Sequence, residues 1–221
     1  MTQRMIVAMS SGRAGSLAGR TARRQAFIAL ARKRARAGSG SHPSFLRART
    51  FRRSIVDIRR IIQRTRFVVV GAVATRLYMP ERATIDVDIL IHADDASRLR
   101  AELVAAGARK RGDLSIGGSS WVLADGTDLD VVESAEAWVR PAVDQARIGP
   151  DGAPYIDLPY LVLMKLQASR AQDLADISRM TALADRDRLE QVRAVIRTYL
   201  PEATDDLESL ISLGKLELGE P

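Results

Sequence analysis

The stretch from Thr84 to Leu90, TIDVDIL, alternates carboxylates with aliphatic side chains. Successive side chains of a β-strand point to opposite faces, so the alternation predicts a strand that carries Asp86 and Asp88 on one face. Two neighbouring carboxylates repel each other unless a cation lies between them. A solvent-facing pair on an edge strand is the alternative interpretation. The flanking Val, Ile and Leu residues favour a cation-binding strand in the core of a domain.

A second segment, Thr127 to Val132, repeats this arrangement with Asp128 and Asp130. If the two strands are neighbours, three or four carboxylates converge on one spot. Carboxylates are the preferred ligands of hard ions such as Mg²⁺ and Mn²⁺. The four acids therefore predict a two-metal site, in which one ion activates an attacking oxygen and the other neutralises charge on a triphosphate.

The composition leaves little else from which a metal site can be built. The chain has no cysteine and two histidines, His42 and His92, which are far apart in sequence. This excludes disulfides, thiol nucleophiles and zinc sites of the usual His/Cys type.

A glycine turn precedes the first acidic strand. The run VVVGAVA from Val68 to Ala74 predicts a buried strand that ends at Gly71, where a helix begins. Backbone N–H groups at such a turn point towards a bound phosphate, and the helix dipole favours negative charge there. Because many strand–helix turns use glycine, this turn is not specific by itself.

These motifs together resemble the DNA polymerase beta-like nucleotidyltransferase superfamily. They are similar in particular to small bacterial nucleotidyltransferases that include abortive-infection toxins of toxin–antitoxin pairs. The shared pattern is an aliphatic residue, Gly, then Gly or Ser, a spacer, and Asp-x-Asp between aliphatic residues, followed later by a third acid. Ala72 departs from this pattern, because alanine cannot bond a phosphate through its side chain as serine can. The helical stretches 160–170 and 173–177 extend the resemblance to about residues 52–183.

The resemblance implies a role for each matching residue. Asp86 and Asp88 would bind both metal ions, and Asp130 would complete the set and help deprotonate the acceptor hydroxyl, with Asp128 as a rival for that position. The residues implied in binding the nucleoside triphosphate are Gly71, Ala72, Arg82, Thr84 and Lys165.

Lys165 has a second interpretation, because a lysine in an apolar helix commonly extends its ammonium group to solvent from a buried stem. The charged residues that follow it, Arg170, Asp173, Asp176 and Arg179, are expected to form i,i+3 ion pairs along a helix. Asp173 is also a candidate for supporting Lys165.

Basic charge is concentrated at the start of the chain. Through Arg66 there are 17 Lys and Arg residues and one acidic residue, a net charge of +16, whereas the rest carries −9. Such a segment suits RNA or DNA. A solvated arginine-rich tail, or a contact for an acidic partner such as an antitoxin, are the alternatives.

The predicted fold class is α/β (α+β), with a mixed sheet flanked by helices. The expected segments are a basic N-terminal extension (1–50), a catalytic core (51–157) and a C-terminal helical segment (158–221). Residues 1–16 are expected to lack regular structure, and Asp94 and Asp95 to cap a helix with Leu99 and Leu103 facing inward. The Asp125-Gly126 dipeptide is expected to form a hairpin turn. The other expected helices are 17–37, 44–64 and 72–78, and the main strands are 67–70, 86–91, 108–112, 119–124 and 127–132. Trp121 and Trp138 are expected in the core.

The sequence therefore predicts a metal-dependent enzyme that transfers a nucleotide from a nucleoside triphosphate to RNA (with tRNA the obvious candidate), a protein hydroxyl or a small molecule. A catalytically inactive binding module of the same fold is the alternative. No apolar run approaches the length of a membrane span, so a cytoplasmic protein without a membrane partner is expected.

Overall fold

Short aliphatic runs form a seven-stranded sheet in the computed structural model, which describes residues 11–38, 57–79 and 86–219. The strands are β1 (Val68–Val70), β2 (Val87–His92), β3 (Arg109–Asp113), β4 (Gly118–Val122), β5 (Asp128–Ser134), β6 (Arg147–Ile148) and β7 (Pro154–Tyr155). Their order is β3-β4-β5-β2-β1-β7-β6. The pairs β2–β5 and β1–β7 are parallel and the other pairs are antiparallel. The predicted mixed sheet is confirmed.

Three helices belong to the same compact unit as the sheet: α2 (Gly71–Thr75), α3 (Ala96–Ala105) and α4 (Val139–Asp144). Both α2 and α4 contact β2. The three residues of β1 are fully buried, which explains their uninterrupted β-branched sequence. Leu99 and Leu103 of α3 are buried as predicted. We call the described residues from Asp57 to Leu161 the sheet unit.

The second compact unit is helical and contains α1 (Ser11–Arg34) together with the chain from Val162 onward. Its other helices are α5 (Leu158–Ala168), which begins in the sheet unit, and α6 (Ala171–Ala182), α7 (Arg186–Tyr199) and α8 (Thr204–Leu218). Helix α1 contacts α6 and α8. We call this part the helical unit. The sequence predicted both ends of the chain to be helical but did not predict that they pack together.

A buried ion pair joins α1 to α8. The guanidinium of Arg24 pairs with the carboxylate of Asp206, and the two residues are 3% and 7% exposed. Arg24 also donates to the backbone oxygen of Leu166 (3.4 Å) and to the hydroxyl of Ser169 (3.3 Å). Ile28, one turn further along α1, is buried as well. Helix α1 is therefore an integral part of this unit.

Two helix predictions differ from the structure. Residues 11–16, expected to lack regular structure, lie in α1, while residues 1–10 lie outside the described chain. The described end of the predicted helix 44–64 forms only a 3₁₀ turn, Ile58–Arg60. The N–H groups of Gln63, Arg64 and Thr65 donate to the carboxylate of Glu102 at 2.6–3.1 Å, which replaces the bonds of a helix.

The predicted cap of α3 is also wrong. Asp95 stands at its N-cap without a side-chain cap hydrogen bond, and its carboxylate pairs with Arg98. The cap is provided one 3₁₀ turn earlier, where His92 Nδ1 accepts from the N–H of Asp94 at 3.2 Å. Helix α2 ends at Thr75, before the predicted residue 78.

Other local predictions are confirmed. The Asp125-Gly126 dipeptide forms the turn between β4 and β5, where Gly126 has φ +88° and Asp125 accepts from the N–H of Thr127. Trp121 and Trp138 are buried. Within the described ranges, no helix combines the length and the apolar character needed to cross a membrane.

Candidate active site

Asp88 and Asp130 lie opposite each other in the parallel register of β2 and β5. Neighbouring strands are about 4.8 Å apart, and residues that face each other in register share one face of the sheet. Both residues are partly buried. The condition for the predicted site, that the two acid-bearing strands are neighbours, is met, and the register places one acid of each pair face to face.

The other two acids lie at the starts of these strands. Strand β2 begins at Val87, so Asp86 precedes it and is exposed. Asp128 is the first residue of β5 and shares a face with Asp130, two residues later. The sheet therefore places Asp88 and Asp130 face to face, with Asp86 just before β2 and Asp128 at the start of β5.

Asp128 has a cationic partner that the sequence did not reveal. Arg111 Nη2, on β3, lies 2.9 Å from Asp128 Oδ1. The two groups form an ion pair, but the angles at the contact are not those of a hydrogen bond. Arg111 is the extra residue of a β-bulge: Lys110 is opposite Trp121, whereas Gly112 is opposite Ser120. Arg109 is opposite Val122, which is opposite Asp128, so strand alternation from Arg109 also places Arg111 on this face; what the sequence did not show is that β3 pairs with β4 and β4 with β5.

Gly71 makes close contact with Asp88. Val70, the last residue of β1, is opposite Asp88 in the antiparallel register with β2, and Gly71 follows at the start of α2 with φ +66°. A β-carbon on Gly71 would lie 1.9 Å from Asp88 Oδ2. The glycine therefore creates the space in which the Asp88 carboxylate lies. Ala72 is the second residue of the same helix.

The other residues predicted to bind the triphosphate are not part of this arrangement as described. Arg82 and Thr84 lie outside the described residues, and their roles stay predictions. Lys165 and Asp173 belong to the helical unit.

Lys165 is buried and doubly paired. Its Nζ lies 3.2 Å from Asp173 Oδ1 and 2.9 Å from Asp176 Oδ2, and both aspartates are buried. The interpretation that its ammonium reaches solvent is therefore wrong. Asp173 contacts Lys165 and also forms the expected i,i+3 pair with Arg170. A triphosphate-binding role for Lys165 stays a prediction.

The donor set of the sheet unit suits a hard divalent cation. Among the described residues, no three carboxylate or imidazole groups are close enough to hold one metal ion. Mg²⁺ needs fewer, because it is commonly bound through one or two carboxylates together with substrate phosphates and waters. Asp88 and Asp130 supply such a pair, and the space left by Gly71 accommodates the Asp88 carboxylate. The residues therefore fit Mg²⁺ or Mn²⁺.

Comparison with known proteins gives matches to solved structures. A scan against protein-family models and a search of curated proteins found no match. The crystal structure of ANT(2″)-Ia in complex with adenylyl-2″-tobramycin is 15% identical, with a TM-score of 0.37, over 67% of this chain and 88% of that chain. The solution structure of the antibiotic-resistance factor ANT(2″)-Ia is 15% identical, with a TM-score of 0.38, over 67% and 80%.

A crystal structure of a candidate nucleotidyltransferase from Thermotoga maritima is 15% identical, with a TM-score of 0.40, over 60% of this chain and 90% of that chain. At this level of similarity, the function of the present chain has to be inferred from its own residues.

Proposed function

We propose that this protein is a metal-dependent nucleotidyltransferase that moves a nucleotide from a nucleoside triphosphate such as ATP to an acceptor hydroxyl. The observation that supports this most directly is the register of Asp88 and Asp130 on neighbouring parallel strands. Two carboxylates held side by side repel each other, and a divalent cation relieves that repulsion. The motif around Asp86 and Asp88 and the glycine turn at Gly71 support the same activity.

In this proposal the residues of the site share the binding and the chemistry. Asp88 and Asp130 hold Mg²⁺ or Mn²⁺, with Asp86 as a further ligand, and the bound ion would supply positive charge to the triphosphate and the leaving group. Gly71 and Ala72 bind phosphate oxygens through backbone N–H groups, and Arg82, Thr84 and Lys165 are further candidates for that task. Asp130, opposite Asp88, completes the carboxylate set.

The transfer itself requires one proton movement and one displacement. The acceptor hydroxyl gives its proton to the Asp130 carboxylate, and its oxygen forms a bond to the α-phosphorus. The bond from the α-phosphorus to the bridging oxygen breaks, and pyrophosphate leaves. Asp128 is less suited to accept the proton, because Arg111 already pairs with it.

RNA is the acceptor that the charge distribution favours. Residues 18–38 contain seven basic residues and no acid. Arg24 is buried, but most of the others are exposed along α1 and just after it: Arg23, Arg32, Lys33, Arg34 and Arg36. An exposed basic helix attracts the phosphodiester backbone without reading its sequence. We propose tRNA or another RNA as the substrate that this surface attracts.

A role as a toxin follows from the resemblance to abortive-infection proteins, and an antitoxin would then be its partner. Expression of the protein should arrest bacterial growth, and Asp88→Ala should relieve the arrest. Arrest that persists at equal expression of the variant would count against a toxin that acts by nucleotide transfer.

The decisive experiment is a transfer assay. Purified protein is incubated with each labelled nucleoside triphosphate, Mg²⁺ or Mn²⁺, and total cellular RNA. Asp86→Ala/Asp88→Ala serves as the inactive variant, and Asp113→Ala, an exposed acid at the end of β3, as the matched control. Label on RNA with the wild-type and control proteins, and none with the double variant, is the expected result.

The other outcomes are distinct. Label on the protein itself, or on an added small molecule, would identify that molecule rather than RNA as the acceptor. The proposed nucleotidyltransferase activity would still be supported. If the protein neither transfers a nucleotide nor binds the triphosphate, the proposal that it is an enzyme is overturned and the inactive binding module is favoured. The departure at Ala72 is the sequence feature consistent with that outcome.

A further inference from the structure

Arg111 lies in an irregular part of an otherwise regular antiparallel pair. Bulges are frequent next to active sites, where the extra residue redirects a side chain. Here the extra residue is Arg111 itself. Its guanidinium reaches across β4 to Asp128 on β5, so β3 contributes a cation to the face that carries two of the predicted site acids.

This contact places Arg111 close to the Asp88–Asp130 pair. Asp128 and Asp130 share one face of β5, and two residues of a strand span about 7 Å. Asp88 is opposite Asp130 on the next strand. The positive charge of Arg111 therefore lies on the acid-bearing face, within reach of a substrate bound at the two aspartates.

The guanidinium retains donors for a ligand. Arginine has five N–H groups in a planar fork that matches the oxygens of a phosphate. The contact with Asp128 involves Nη2, and the Arg111 side chain is 59% exposed. Asp128 can thus orient the guanidinium through the edge that it contacts. Another edge faces solvent on the acid-bearing face, where a ligand can bind it.

We propose that Arg111 is a phosphate-binding residue of this site, held in place by Asp128 as a positioning residue. This inference rests on the proposed function, because it takes the Asp88–Asp130 pair as the point of transfer. The ligand group is a phosphate oxyanion, which either the nucleoside triphosphate or the phosphodiester backbone of an RNA acceptor provides.

Two binding measurements distinguish these sources. The first is the affinity for a non-hydrolysable nucleoside triphosphate with Mg²⁺, by calorimetry, and the second is the affinity for total tRNA without triphosphate, by filter binding. Arg111→Gln should weaken one of them about 10- to 100-fold, the range expected for a charged hydrogen bond. Arg111→Lys, which keeps the charge but loses the fork, should fall between Arg111→Gln and wild type.

Two controls accompany these variants. Arg147→Gln, an exposed arginine of β6 at the opposite edge of the sheet, removes the same charge and should change either affinity less than twofold. Asp128→Asn should weaken the same ligand as Arg111→Gln, by a smaller factor. Thermal unfolding of every variant would show whether the sheet unit stays folded.

The outcomes separate this inference from the proposed function. If Arg111→Gln weakens phosphate binding while the wild-type protein transfers no nucleotide, Arg111 binds phosphate as proposed and the proposed transferase activity is overturned. If transfer depends on Asp86 and Asp88 but Arg111→Gln binds both ligands like wild type, the proposed nucleotidyltransferase activity is supported and the proposed role of Arg111 is overturned. Equal losses for Arg111→Gln and Arg147→Gln would also overturn it, because net charge alone would then explain them.

Discussion

A β-carbon placed on Gly71 would lie 1.9 Å from Oδ2 of Asp88 and 2.7 Å from its Cγ. The glycine turn and the acidic strand are therefore one structural feature, since the residue that lets the backbone turn also leaves room for the carboxylate. The positive φ of Gly71, +66°, adds a second reason for glycine at this position.

Gly71→Ala should consequently disable the site. The new methyl group must displace Asp88, and we expect Mn²⁺ affinity and transfer activity to fall at least tenfold, with a loss of stability of about 1 to 3 kcal/mol. Gly19→Ala is the matched control, because nothing lies within 4 Å of its added carbon. That helical substitution should stabilise the protein by up to about 1 kcal/mol. Unchanged Mn²⁺ binding in Gly71→Ala would contradict the assigned position of the metal.

The two acids of β5 should differ in their importance. Asp130→Asn removes the carboxylate opposite Asp88, and loss of a general base typically lowers kcat about 10²- to 10⁴-fold. Asp128→Asn removes an acid that is already paired with Arg111, so kcat should fall less than tenfold. Steady-state kinetics on the accepted substrate provide the test. The reverse ranking would assign proton transfer to Asp128.

The buried pair of α1 and α8 predicts a large effect on stability. Arg24→Met leaves Asp206 buried without its cation, and breaking such a pair costs about 3–5 kcal/mol. Arg23→Met, at the exposed neighbouring position, should change the free energy of unfolding by less than about 0.5 kcal/mol. Urea unfolding measures both. The double variant Arg24→Met/Asp206→Leu should recover much of the loss, and a double variant as unstable as Arg24→Met would argue against a charge effect.

Glu102 predicts a dependence of stability on pH. Burial raises the pKa of Glu102, but hydrogen bonds to its carboxylate, including three from backbone N–H groups, outweigh it, and the net pKa is lower than the ordinary value of 4.5. A lowered pKa stabilises the folded state above pH 4.5, and this contribution is lost as the pH falls through the folded-state pKa.

Glu102→Gln should therefore lower the free energy of unfolding at pH 7 by about 1 to 2 kcal/mol. The difference from wild type should shrink below about pH 4.5. Urea titrations at pH 7, 5, 4 and 3 would measure it, with the exposed Glu202→Gln as control. A difference that stays constant across this range would show that the charge of Glu102 is not responsible.

The sequence predicted the elements of the site because their signals are local. The alternation around Asp88, the glycine after β1 and the Asp125-Gly126 turn each depend on a few adjacent residues. The features it missed depend on distant residues. The ion pair of Arg111 with Asp128 depends on the pairing of β3 with β4 and of β4 with β5, and the carboxylate of Glu102 ends a helical pattern almost forty residues earlier in the chain. Local propensity contains no information about either contact.

The ion pair between Arg24 and Asp206 also determines the order in which the helical unit can form. These residues are 182 positions apart, and ribosomes add about 5–20 residues per second. Arg24 is therefore synthesised about 10 to 40 seconds before Asp206. During that interval Arg24 has no Asp206 to pair with, and the basic segment that forms α1 is open to polyanions, ribosomal RNA among them. The helical unit is completed only after Asp206 has been synthesised.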